Sequence, residues 1–208
     1  MSGCHRRLVG NVALIAALAL AATVVAQQPY TEKVPSTKDP IRFSAFAVNM
    51  QGGMTGDVEI AIERWTTDAE RQALIPLVKS STDKVGGQDA LLKALQDIKP
   101  RVGYIRTPNS LGWDLKYAYE SKLPDGTRQI VIVTDKRVSF LAAASQARTL
   151  DYPFSLVEMQ FPAGSNKGEG KLLAQTAVST KDGKLQLEIY GQEATRLTTI
   201  TEKVDKKK

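Results

Sequence analysis

The sequence predicts a β-dominated α+β fold: a single antiparallel β-barrel or sandwich of about eight strands, carrying a two-helix insertion. Three observations predict it. Several segments alternate apolar and polar residues with period two, the pattern of a strand with one buried face. Asp125-Gly126 and Lys181-Asp182-Gly183 sit between such segments, where hairpin turns belong. Helical periodicity falls mainly within residues 67–98. Hairpin-linked strands with few helices argue against a parallel, doubly wound sheet. Periodicity leaves barrel and sandwich both open.

Residues 41–50 read as the first strand, rich in Phe43, Phe46 and Val48, and the glycines of 51–56 read as a turn. In 57–65, Val58, Ile60 and Ile62 alternate with Asp57, Glu59 and Glu63. Thr67-Asp68-Ala69-Glu70 matches the S/T-x-x-E capping box and starts a helix, with Pro76 expected to kink or end it. Residues 80–87 form a link. Leu91, Leu92, Leu95 and Ile98 give a second amphipathic helix, stopped by Pro100. Residues 102–106 read as a short strand. Next, Trp113, Leu115, Tyr117 and Tyr119 alternate with Asp114, Lys116, Ala118 and Glu120. Residues 128–134 return after the Asp125-Gly126 turn; their middle is apolar on both faces, which places this strand centrally. Residues 138–144 fit either helix or strand. A strand at 152–161, a glycine-containing loop at 162–170, a hairpin of 171–180 with 184–190, and a strand at 195–201 complete the domain.

The 208 residues hold 28 Lys and Arg, 22 Asp and Glu, one Cys and one His. Arg6 and Arg7 precede the apolar run 12–25, and Val24-Val25-Ala26 provides a cleavage site before Gln27, so residues 1–26 read as a secretory signal peptide. A retained anchor is the alternative, but Gly10 and Asn11 interrupt the run, which falls short of the roughly 20 apolar residues of a spanning helix. Residues 27–40 contain Pro29, Pro35 and Pro40 and read as a linker; 41–202 are the β domain; 203–208 are a basic tail. Removing 1–26 takes Cys4 and His5 with it. What remains is 182 residues with no Cys and no His, and with 26 basic against 22 acidic side chains. That excludes disulfides, thiol chemistry, Cys/His zinc sites and any triad with a histidine base. No cofactor and no metal site is expected. The tail accounts for net +3, leaving the body near neutral, so nucleic acid is not an expected partner.

The remaining motifs are weak. Asp57 and Glu59 share a strand face about 7 Å apart, a workable separation for carboxylate catalysis, but that face reads as a solvated charged surface. Ser81-Thr82-Asp83-Lys84 matches S-x-x-K without the S-D-N and K-T-G strings that penicillin-recognising enzymes also carry. Gly168-Glu169-Gly170-Lys171 is too short for a phosphate-binding loop. The aromatic face of Trp113, Tyr117 and Tyr119 is the one feature that suggests a ligand pocket, with Arg106 as an anion contact at its mouth; the competing reading makes these rings core.

Along 101–112, 113–119 and 149–153 (Thr149-Leu150-Asp151-Tyr152-Pro153) the sequence resembles exported bacterial proteins that are uncharacterised and have no assigned activity. The resemblance spans most of the domain and implies export; it brings no ligand and no catalytic residue. The expected function is an exported, periplasmic or secreted, non-catalytic binding domain for a small apolar or sugar-like ligand. A structural or protein-interaction module of the cell envelope is the alternative, and a carboxylate-dependent hydrolase comes third. The expected partner is a small ligand or an envelope protein, with no stable membrane insertion once the signal is removed.

Overall fold

In the computed structural model the described residues are 34–49, 54–80, 88–108, 110–138, 152–181, 184–189 and 194–203. The expected signal peptide, the 80–87 link beyond Ser80, the ambiguous segment beyond Val138, the Asp182-Gly183 turn and the tail beyond Lys203 lie outside them. Ten strands and two helices follow in order: β1 (Ile41–Asn49), β2 (Met54–Ile62), α1 (Asp68–Ser80), α2 (Gln88–Asp97), β3 (Gly103–Arg106), β4 (Trp113–Leu115), β5 (Tyr117–Lys122), β6 (Arg128–Thr134), β7 (Phe154–Phe161), β8 (Lys167–Lys181), β9 (Lys184–Ile189) and β10 (Thr195–Lys203).

All pairings are antiparallel, in the order β4-β3-β2-β1-β10-β8-β7-β6-β5, with β9 attached to β8 off this path. Only Lys116 separates β4 from β5. Its N–H donates to Val133 O at 2.9 Å, and Thr134 Oγ1 donates to Asp114 O at 2.8 Å. The two ends of the path are therefore halves of one bent strand, and the sheet is a nearly closed barrel. The helical hairpin is inserted between β2 and β3, as the sequence predicts. Irregularities supply curvature: β10 shifts register against β8 between Leu197 and Ile200 and against β1 between Thr198 and Thr201, and Thr199 takes a φ of 49°.

The core is the barrel interior. Odd residues of β1 (Ile41, Phe43, Ala45, Ala47) and even residues of β2 (Val58, Ile60, Ile62) point inward, and Ile105, Leu115, Ala118, Ile130, Ile132, Met159, Phe161, Leu197 and Ile200 are among the residues that join them in one buried cluster. A second cluster seals the helical hairpin to the outside of the barrel, joining Leu74, Leu91, Leu95 and Ile98 to Phe154, with Tyr117 and Val133 packed against it. This is why β6 is apolar on both faces: Ile130 and Ile132 face the interior, and Val133 lies under the helices.

The turns follow local chemistry. Gly126 N–H closes a turn on Leu123 O at 2.9 Å, Thr127 O accepts from Leu123 N–H, and Gly126 has a φ of 84°. The capping box forms as spelled: Glu70 N–H donates to Thr67 Oγ1 at 3.2 Å, and Thr67 N–H donates back to Glu70 Oε2 at 2.8 Å.

Several expectations are corrected. Pro76 does not end α1, which runs on to Ser80; Gln72 and Pro76 both lie on the exposed side of the helix, where a carbonyl that loses its helical partner costs less than in the core. The glycines of 162–170 do not all belong to a loop. β8 already begins at Lys167, and Cβ atoms at Gly168 and Gly170 would sit 2.3 Å from Gln160 O and 2.4 Å from Glu158 O. Glycine is used there for close approach of β8 to β7. Met54, Thr55 and Gly56 belong to β2 rather than to a turn, and Lys203 ends β10 rather than opening a tail.

Candidate functional site

The predicted single aromatic face does not exist. Leu115 and Ala118 are both fully buried in the barrel core, although strict alternation would put them on opposite faces. The bend at Lys116 inverts the alternation. Leu115 belongs to the barrel core and half-buried Trp113 packs against it, while Tyr117 and Tyr119 lie beyond the inversion. Tyr117 packs against the helix cluster, and burial pushes its hydroxyl pKa up, with the nearby charge of Arg71 working against it. The Arg71 guanidinium stacks on the Tyr119 ring at 4.5 Å.

Arg106 lies elsewhere, at the end of β3 on the outer face of the barrel. Inward packing of odd residues in β1 and even residues in β2 fixes what faces out: Arg42, Ser44 and Phe46 from β1, Asp57 and Glu59 from β2. Register then aligns Thr201, Ser44, Glu59 and Arg106 in one row across β10, β1, β2 and β3. The adjacent row holds Lys203, Arg42, Ala61 and Tyr104. Ala61 is small, so Arg42 reaches over it and donates through Nη1 to Tyr104 Oη at 2.7 Å and Glu59 Oε1 at 2.9 Å. Arg106 Nη2 meets the same carboxylate at 3.2 Å and 3.3 Å. Partial burial works against the Glu59 charge, but the bonds from Arg106, Tyr104 and Arg42 outweigh it and hold the carboxyl below its usual range.

Tyr104 is flanked by two guanidiniums, Arg106 at 5.1 Å and Arg101 at 5.3 Å from its ring centre. Arg101 in turn clamps Glu63 through Nε and Nη2 at 3.0 Å and 2.9 Å and holds Asp114 at 2.8 Å; these bonds push its pKa up. The acidic face that reads in the sequence as solvated is thus an ion-pair network at half-buried Glu59 and buried Glu63, with Asp57 its one exposed acid.

Beside this network lies a groove of about 350 Å³, lined by Ser44, Asp57, Glu59, Arg106, Thr107 and Lys203 among others. Phe46, 39% exposed, stands directly opposite Asp57 in the β1–β2 register, and Pro108 forms part of the wall. A broader depression of about 520 Å³ lies over Gln160, Lys167, Glu169 and Thr199. Trp113, Tyr117 and Tyr119 line neither. The structure therefore separates Arg106 from the three rings with which the sequence grouped it. Sequence reasoning missed Arg42, Ser44, Glu59 and Lys203 as its neighbours. Alternation puts Arg42 and Ser44 on one face, but only cross-strand register brings them to Arg106.

Chemically the groove offers charges of both signs and two hydroxyls. Glu59, held ionised by its cations, is a poor proton donor near neutral pH. Among the described residues no group of three or more His, Cys, Asp or Glu side chains is placed to hold a metal ion. No helix among them is long and apolar enough to cross a membrane. Compared with known proteins, the chain matches no family model, no curated protein and no solved structure.

Proposed function

We propose that the protein is an exported, non-catalytic binding domain, periplasmic or secreted, that takes a small polar ligand on the outer face of β1–β3. The groove beside Arg106 is the observation that carries this reading: about 350 Å³, at the lower end of the range of small-molecule sites, with charges of both signs from β2, β3 and β10. Its lining favours a polar ligand over an apolar one. The basic pair Arg6-Arg7, the apolar run 12–25 and the small residues before Gln27 support export, as does the resemblance to exported bacterial proteins.

The test is nuclear magnetic resonance on the isotopically labelled chain starting at Gln27, titrated with amino acids, sugars, sugar acids and apolar probes. Saturable shifts confined to amides of Ser44, Asp57, Arg106 and Thr107, and abolished by Arg106→Ala, are the expected result. Shifts centred on Trp113 or Tyr117, or none at all, overturn it.

A protein-interaction module of the cell envelope is the second reading. It is favoured by Leu111, fully exposed in the loop after Arg106, and by exposed Phe46 on the outer face. Co-purification of one partner from the envelope fraction, lost in Leu111→Ser with Phe46→Ser, would select it.

A further inference from the structure

We infer that the groove beside Arg106 recognises a zwitterion: a free amino acid or short peptide whose ammonium meets Asp57 and whose carboxylate meets Lys203. The inference rests on the proposed groove and specifies its ligand.

Most carboxylates in the surrounding network are already neutralised. Glu59 has two arginines, and Glu63 and Asp114 share Arg101. Asp57 is the exception. It is exposed, lines the groove, and makes no ion pair with any described residue. Lys203 lines the same groove and likewise has no acidic partner among the described residues. Two opposite charges therefore share one depression without meeting.

Register explains the separation. Asp57 lies opposite Phe46, and Lys203 lies opposite Arg42, four residues away along β1. At about 3.3 Å per residue these backbone positions are offset by roughly 13 Å along the strand, with β1 lying between β2 and β10. Side chains that converge on one groove from such positions leave room for a molecule carrying both complementary charges.

The middle of the groove is suited to the rest of such a ligand. Ser44 and Thr107 contribute hydroxyls, and Glu59 is satisfied by Arg42 and Arg106 and so does not compete for the ammonium. Lys203, with Arg42 opposite it on β1, leaves cationic charge at that end of the groove, where a carboxylate fits. Phe46, opposite Asp57, offers an apolar edge for a side chain next to the ammonium. A metal ion or a simple anion would use only one of these two charges.

The test uses L-alanyl-L-leucine, its N-acetyl form, its C-terminal amide and glucuronate, titrated into the labelled chain from Gln27. The free dipeptide is expected to shift the groove amides saturably, with acetylation and amidation each weakening binding about tenfold or more. Asp57→Asn should erase the penalty for acetylation and keep that for amidation; Lys203→Gln should do the reverse. If the blocked peptides bind as tightly as the free one, or glucuronate binds more tightly, the zwitterion inference falls while the groove stands. If no probe shifts the groove amides, both fall. The comparison among probes needs only the unaltered chain, so a variant that fails to fold does not remove the test.

Discussion

Arg128 is the most deeply buried charge among the described arginines. It heads the inward row of β6, its side chain is 4% exposed, and it joins Glu120 at 2.8 Å and Glu202 at 2.9 Å. Burial opposes its charge, but the bonds to both carboxylates prevail and raise its pKa. The guanidinium also lies 5.4 Å from the Phe161 ring, which in turn meets Phe43 at 5.6 Å. One cation thus ties β5, β6 and β10 at one end of the barrel. Two acids on one base are tolerable only while the base is there. Arg128→Met is therefore expected to cost about 3–5 kcal/mol, measured by urea unfolding at neutral pH. Glu120→Gln added to that variant should recover part of the loss, because it removes one stranded charge. A cost below about 1 kcal/mol would show that the triad contributes little beyond its packing.

At the scale of elements, the start of α1 joins local sequence to tertiary structure. Glu70 closes the capping box on Thr67 and also receives both Nη groups of Arg64 at 2.9 Å, while Arg64 Nη2 donates to Pro100 O at 2.8 Å. The helix start is thereby pinned both to the chain leaving β2 and to the chain entering β3. The Arg64 bonds, with the Thr67 bonds added and burial opposing, bring the Glu70 pKa down to about 2. A carboxyl depressed on folding stabilises the protein above its unfolded pKa, and that stabilisation is lost as pH falls through the folded value. Glu70→Gln should therefore lower stability by about 1–2 kcal/mol at pH 7, with the difference from the parent shrinking toward zero near pH 2. Urea midpoints at both pH values check it; a difference that persists in acid would mean lost shape rather than lost charge. This helix start was legible because its signal spans four residues. The Asp125-Gly126 turn was legible for the same reason. The inversion at Lys116 was not: apolar and aromatic residues continue at 113, 115, 117 and 119, and nothing local marks where the strand leaves one partner for another. Gly168 and Gly170 read as a loop because what requires glycine there is the carbonyl of a different strand. Arg106 was singled out from sequence, but its neighbours at Ser44, Glu59 and Lys203 depended on register.

For the whole molecule, the decisive feature is closure. Strand count and antiparallel hairpins follow from pattern, but the ring closes through one residue. Lys116 lies where the β4–β5 strand changes partner, with Val102 N–H donating to Leu115 O at 3.0 Å on one side and Lys116 N–H donating to Val133 O at 2.9 Å on the other. By contrast β9 pairs only with the outer part of β8, away from the ring. Closure makes the interior one cooperative unit: opening the seam exposes Leu115, Ala118 and Ile105 together, whereas loosening β9 leaves the ring paired. A proline removes an N–H wherever it is placed, so the same chemical change at two positions separates these cases. Lys116→Pro is expected to cost about 3 kcal/mol or more, or to prevent folding, while Leu187→Pro in β9 should cost clearly less and leave one sharp main transition. Circular dichroism through urea titration gives the comparison, and amide hydrogen exchange shows where protection is lost. Protection lost throughout the barrel strands in Leu187→Pro, or retained at Ile105 and Ile132 in a folded Lys116→Pro chain, would mean that the seam at Lys116 does not hold the barrel closed.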